Sequence, residues 1–207
     1  MGIVMDNRLL FKEELRTAKR CIEKVLVPVK NLTVEQARNI VGTYRVAIEP
    51  NFIPWMLRAY QTVRSDKAKK VIDQNIRDEI AQDHPKMLRD FAQSCGVIVT
   101  EEHYRRASQP VLNMWDIFAK KNGIMDLTVA ATLENTSLLF IPYLAKIGRK
   151  LGCKDFTYTD VHGVADIKHA RDLYDGLVEE MGNSNCPVKE IVAAGDQTIS
   201  FLTKILS

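Results

Sequence analysis

His162, Asp166 and His169 stand at i, i+4 and i+7 in the stretch V-H-G-V-A-D-I-K-H-A, residues 161–170, and they include two of the chain's four histidines. On a helix turning about 100° per residue they lie at about 0°, 40° and −20°, on one face. Two imidazoles and a carboxylate converging on a point offer three lone pairs once deprotonated, which suits Fe, Mn or Zn. A plainer arrangement uses the same residues. His162 would cap the helix near its start, Asp166 would pair with Lys168 or Arg171, and His169 would pack in the core. The small neighbours Gly163 and Ala170 leave room for something to approach, which favours the metal.

Metal sites inside helical bundles draw ligands from several helices, so inward-facing acids elsewhere in the chain matter. Glu134 is the only acidic residue between 127 and 154, inside the apolar run L-T-V-A-A-T-L-E-N-T-S-L-L-F-I-P. A lone carboxylate there is costly unless it is paired, metal-bound or turned to solvent. Pro142, further along, is placed to kink this helix and open its interior. A third segment, N-I-R-D-E-I-A-Q-D-H-P-K-M-L from Asn75, adds Glu79 and His84. On an ideal helix Glu79 and His84 are about 140° apart and Asp78 and His84 about 120°, both poor for one metal. A break expected at His84-Pro85 relaxes that objection, because proline disfavours the α conformation of the residue before it. Either Asp78 or Glu79 can then be the first carboxylate, and a solvent-facing Glu79 is the alternative. Phe52, Trp55, Met56, Phe140 and Tyr143 are candidates to wall a pocket, or simply to pack in the core. Tyr158, expected in a loop just ahead of His162, is a candidate redox-active neighbour or another packing residue.

The elements that must position these groups are helices. Apolar periodicity and stop signals predict them over about 6–27, 34–49, 51–63, 66–82, 85–94, 101–107, 110–121, 127–151, 160–181 and 187–206. Thr33 and Gln36 fit a capping box, Ser65 an N-cap, and Asp126 the N-cap of the long apolar helix. Gly96 and Gly152 mark helix ends, and Pro187 opens the last helix. Val97–Val99 is a strand-like connection, and Cys153–Thr159 a loop. No internal repeat or low-complexity linker is present, so the expectation is one all-α domain over 1–207, a bundle of about seven to nine helices.

Composition narrows the functions. A chain of 207 residues with 46% hydrophobic content can bury a sizeable core. The net charge is +3 and the sequence pI about 8.6. The most basic stretch, Arg64 to Lys70, fits a solvated helix face and lacks the aromatic interleaving of a base-stacking platform, so nucleic acid is not expected. No signal-peptide pattern and no run of about 18 uninterrupted apolar residues occur, so a cytoplasmic protein without a membrane span is expected. Cys21, Cys95, Cys153 and Cys186 are scattered with no Cys-x-x-Cys pair, and read as free, mostly buried thiols.

The pattern N-I-x2-E-x4-H-P-x2-L, then an isolated Glu on a long helix, then H-x3-D-x2-H, resembles the haem-oxygenase-like di-iron oxidase and oxygenase superfamily over roughly residues 44–181. The final H-x3-D-x2-H is the specific part. Members of that superfamily form terminal alkenes from fatty acids, fragment lysine, oxidise nitrogen or form para-aminobenzoate. The resemblance implies a haem-oxygenase-like bundle and two iron ions, with manganese possible, held by Glu79, His84, Glu134, His162, Asp166 and His169. It implies O2 as co-substrate, a small carboxylic acid, amino acid or fatty acid as substrate, a possible external electron donor, and a homodimer. The spacing of Glu79 and His84 departs from the family's helix-compatible one, which leaves the first metal position open. The competing reading keeps the fold without metal, as in thiaminase-II-like and pyrroloquinoline-quinone-synthase-like relatives that bind or transform a heterocycle. A non-enzymatic helical interaction protein is a third. Haem oxygenase itself is disfavoured, because an axial histidine is expected near the N-terminus and the first histidine is His84. Arg45 and Arg58 could bind a substrate carboxylate, or lie at the surface.

Overall fold

The computed structural model describes residues 7–182 and 188–207, and among these it contains nine α-helices and no strand. They are α1 (Asn7–Val25), α2 (Val34–Ile48), α3 (Phe52–Thr62), α4 (Asp66–Ala81), α5 (His84–Ser94), α6 (Glu101–Ala119), α7 (Gly123–Leu151), α8 (Thr157–Gly182) and α9 (Val188–Ile205). A single 3-10 turn, Val29–Asn31, follows Pro28. The all-α bundle expected from the sequence is what forms. Pro187 and Cys186 lie outside the described residues.

Helix α7 is the axis of the bundle. It packs most extensively on α8 and also touches α9, α3, α1 and α2. Its residues are buried nearly all round, as expected of a helix apolar on every face. By length and composition α7 could cross a bilayer, yet 83% of its most apolar window is buried inside the protein. One core cluster gathers α2, α3, α5, α6, α7 and α9 around Tyr44, Trp55, Phe91, Phe118 and Phe201. A second joins α1, α3, α4, α7 and α8 through Phe11, Met56, Ile72, Leu127 and Leu173.

Several boundaries follow local chemistry read from the sequence. Thr33 and Gln36 form the reciprocal capping box of α2, with Gln36 N–H donating to Thr33 Oγ1 at 3.1 Å and Thr33 N–H to Gln36 Oε1 at 2.8 Å. Ser65 Oγ caps α4 by accepting from Ala68 N–H at 3.1 Å.

Others depart from the expectation. Helix α6 runs unbroken through Pro110, because Ala107, Pro110 and Met114 are buried on one face and this packing outweighs the lost hydrogen bond. Helix α7 starts at Gly123, capped by Asn122, whose Oδ1 accepts from Ile124 and Met125 N–H. A Cβ at Gly123 would stand 2.5 Å from the Thr62 carbonyl oxygen, so the close approach of α3 requires glycine there. Asp126 is therefore not the cap but a buried residue of the first turn. Helix α8 begins at Thr157, whose N–H donates to Asp155 Oδ1 at 2.9 Å, so Tyr158 is helical rather than in a loop. Val97–Val99 forms no strand.

Candidate metal centre

The break between α4 and α5 decides the geometry of the site. Helix α4 ends at Ala81, and Asp83 takes a left-handed conformation with φ of 51°. Asp83 also caps α5, its Oδ1 accepting from Lys86 N–H at 3.3 Å. Aspartate tolerates this backbone better than most residues, since its short side chain bonds locally. The single left-handed residue resets the register, and His84 restarts the helix facing back to Glu79. The two residues, on opposite sides of an ideal helix, meet with His84 Nδ1 2.8 Å from Glu79 Oε1.

From across the bundle, α8 brings His162, Asp166 and His169 on one buried face, and α7 brings Glu134. His162 Nε2 lies 3.9 Å from Glu79 Oε1, and the rings of His84 and His162 are 4.4 Å apart. His169 Nδ1 lies 3.7 Å from Glu134 Oε1. Ligand atoms of Glu79, His84 and His162 all fall within 4.8 Å of one another, and so do those of Glu79, Glu134 and His169. Glu79 belongs to both sets. Asp166 belongs to neither, but it is buried and lines the same cavity, with Oδ1 unpartnered.

Neighbouring groups hold several of these side chains in place. His162 Nδ1–H donates to the Tyr158 carbonyl at 2.9 Å, one turn back on α8, leaving Nε2 for the centre. Glu134 Oε1 accepts from Asn75 Nδ2 at 3.1 Å, and Ser137 lies beside Asp166. Asp78, the rival first carboxylate, points to the outer nitrogen of His169, Oδ2 to Nε2 at 3.2 Å. Tyr44 and Tyr158 share a buried hydroxyl–hydroxyl bond of 2.8 Å, and the Tyr158 ring lies 4.2 Å from that of His162.

The electrostatics are those of too many acids in too little water. Burial pushes the Asp166 carboxyl up to about 7, and Glu79 adds to the rise. Burial, then Asp166 and Glu79, raise Glu134 well above the usual carboxylate range. Burial lowers His162 to about 4, so its imidazole is neutral at pH 7. Asp166 Oδ1 and His169 Nδ1 are buried without a hydrogen-bond partner. The unpartnered Asp166 Oδ1 and His169 Nδ1, together with the lone pair of neutral His162, fit a divalent cation of the Fe, Mn or Zn kind. The residues present therefore fit a metal, and the shared Glu79 fits two neighbouring ones.

A cavity of about 550 Å³, counted out to its open mouth, reaches these groups. Glu79, His84, Glu134, His162 and Asp166 line one part, and Tyr44, Ile48, Phe52, Ile53, Leu88 and Phe140 much of the rest. Trp55, Met56 and Tyr143 are not among the lining residues, which corrects the expected wall. Trp55 stacks on Phe118 and meets Phe201 edge-on, Met56 packs in the second core cluster, and Tyr143 is buried in the first. Arg58 bonds Gln61 away from the cavity, whereas Arg45 pairs with the lining residue Glu49 at 2.8 Å. Tyr44 and Ser137 were not singled out from the sequence. Each sits in an ordinary buried stripe, and only tertiary contact distinguishes it.

The helix arrangement defines a haem-oxygenase-like fold. A CADD-like protein of unknown function from Nostoc punctiforme superposes with a TM-score of 0.72 at 14% identity, over 96% of each chain. A TenA homologue from Pseudomonas syringae pv. tomato superposes with a TM-score of 0.69 at 13% identity, over 95% of this chain and 89% of that one. No curated protein matches the sequence. Residues 43–195 match the family of iron-containing redox enzymes, and the chain belongs to that family.

Proposed function

We propose that the protein is a non-haem di-iron oxidase or oxygenase that uses O2 to oxidise a small organic substrate. The observation that carries this reading is the pair of convergent ligand sets sharing Glu79, buried at a cavity. Glu79, His84 and His162 would hold one iron, and Glu79, Glu134 and His169 the other, with Asp166 beside them as a further carboxylate. Bound there, iron would supply O2 activation and oxidation of the substrate, chemistry no side chain provides.

The chain's own residues do the remainder. His162 Nδ1–H, committed to the Tyr158 carbonyl, keeps that imidazole in the tautomer whose free nitrogen faces the centre. The Asn75 amide holds Glu134 in place from the side of α4. Phe52, Phe140, Leu88 and Ile48 exclude water and select a substrate with an apolar body. The hydroxyls of Tyr44 and Tyr158 add the neutral polar contact near His162. A carboxylic acid, amino acid or fatty acid is the proposed substrate class, and an external donor would supply electrons where the substrate does not.

The likeness to a TenA homologue keeps a second reading in view, a metal-free enzyme or binder of a heterocycle on the same fold. A cysteine nucleophile of the thiaminase kind has no candidate among the described residues, since Cys21, Cys95 and Cys153 do not line the cavity. Metal content after anaerobic Fe(II) loading and desalting, followed by absorbance on adding O2, separates the two. About two irons per chain and a transient visible band are expected. No retained iron, with a heterocycle bound instead, would overturn the di-iron reading.

A further inference from the structure

Asp78 and Glu79 are consecutive on α4, so they leave the helix about 100° apart and cannot serve the same point equally. Glu79 is 4% exposed and common to both ligand sets. The Asp78 side chain keeps 29% of its surface and belongs to neither. Its Oδ2 meets His169 Nε2 at 3.2 Å, while its Oδ1 accepts from Gln74 Nε2 at 2.8 Å, one turn back on the same helix.

A neutral imidazole has one N–H to place. With that proton on Nε2, against Asp78, the lone pair of His169 falls on Nδ1, the buried nitrogen without a hydrogen-bond partner that lies 3.7 Å from Glu134 Oε1. The other two histidines have uncharged groups behind them. His162 Nδ1–H donates to the Tyr158 carbonyl at 2.9 Å, and His84 Nε2 lies 3.4 Å from Gln82 Oε1. Of the three imidazoles, His169 alone has a carboxylate on its outer side. An ionised acceptor behind a metal-bound histidine fixes the ring and raises its basicity, and losing such a partner typically costs about 10- to 100-fold in affinity.

We propose that Asp78 is a positioning residue, not a ligand, which acts through His169 to strengthen the Glu79–Glu134–His169 metal position and leaves the Glu79–His84–His162 position to uncharged partners. This rests on the metal-binding reading above and sharpens it, because it makes the two positions chemically unequal.

The test is anaerobic calorimetric titration of the full chain with Fe(II), comparing wild type with Asp78→Asn, Asp78→Ala, Glu134→Ala and Glu79→Gln. Asp78→Asn should weaken one binding event about 10- to 100-fold and leave the other unchanged, with Asp78→Ala at least as severe. Glu79→Gln should weaken both events. The metal-free melting temperature of Asp78→Asn should match wild type, while the rise on adding Fe(II) shrinks, a pattern that a merely structural role would not produce. The nitrogen shifts of the His169 imidazole in the metal-free chain should report an Nε2–H tautomer that Asp78→Ala scrambles. Unchanged binding in both Asp78 variants overturns the proposal. Outright loss of an event, equal to that in Glu134→Ala, also overturns it by making Asp78 a ligand. A wild-type chain with no Fe(II) event overturns the proposed function and this role together, and does so before any substitution is made.

Discussion

Asp126 and Glu134 are two buried carboxylates on the same helix, and the contrast between them separates a buried acid from a binding site. Asp126 is in the first turn of α7, fully buried, with Oδ2 accepting from the Thr62 hydroxyl at 2.6 Å and Oδ1 unpartnered. Burial pushes its carboxyl up to about 7, against small opposing effects from Thr62 and Arg58. Glu134, about two turns on, is raised by burial as well, but also by Asp166 and Glu79, and it faces the His169 ring. Asp126 can meet its burial with one proton. The acids around Glu134 crowd one another and are interleaved with His162 and His169, each of which turns one nitrogen without a hydrogen bond toward them. Convergence, not burial, marks the centre.

The largest expected effect comes from breaking that convergence. Glu134→Ala and His162→Ala should each lose bound iron while keeping the helical circular dichroism of the wild type, since each removes one ligand from a separate set. Asp126→Asn should keep full iron content in the same desalting assay. Wild-type iron content in both ligand variants would sink the assignment of the centre.

The pH dependence sharpens the same contrast. Burial pushes the Asp166 carboxyl up to about 7 and Glu134 is raised as well, so protons would compete with a metal at the proposed site. Fe(II) affinity should therefore climb as pH rises through about 7, with protons released on binding. A flat profile between about pH 6 and pH 8 would contradict it. At Asp126 the sign concerns the fold alone. Its folded pKa lies above the unfolded value, so the folded state holds the proton more tightly and this residue's contribution to stability declines as pH rises from about 4 to about 7. Asp126→Asn should flatten that decline, seen as a smaller change in denaturant midpoint across the window, with metal content untouched.

Much of this was legible in the residues, for physical reasons that also explain the gaps. Asparagine, threonine and serine caps act on their own neighbours, so Thr33 and Ser65 could be read locally, and the i, i+4, i+7 face of His162, Asp166 and His169 follows from helical pitch. Asp126 misled because an acid four residues into an apolar helix looks like a cap, whereas Asn122 had the better position and α3 closed over the turn. Pro110 misled because local chemistry breaks helices at proline while tertiary packing carried α6 through. The approach of Glu79 to His84 depends on one left-handed residue, Asp83, which periodicity cannot register. The pairing of Asp78 with His169 and of Tyr44 with Tyr158 spans long separations along the chain, so single-sequence patterns carry no trace of it.

The smallest effect should come from Thr62→Val, which removes the donor to Asp126 and nearly conserves shape. Thr62 Oγ1 contacts Asp126 Oδ2 at 2.6 Å and also the carbonyls of Arg58 and Ala59 on its own helix. Below pH 7 the partner is a neutral acid, and the loss should be about 1 kcal/mol, as for an ordinary hydrogen bond. Above pH 7 the same substitution strands a buried carboxylate, and the loss should grow to about 2 kcal/mol. The donor favours the charged form, so its removal also moves the Asp126 titration higher still. Denaturant unfolding of wild type and Thr62→Val at either side of pH 7 should show the difference widening with pH while iron content stays constant. A difference that stays flat across pH 7 would mean that Asp126 does not change charge there, and the contrast with Glu134 would lose its basis.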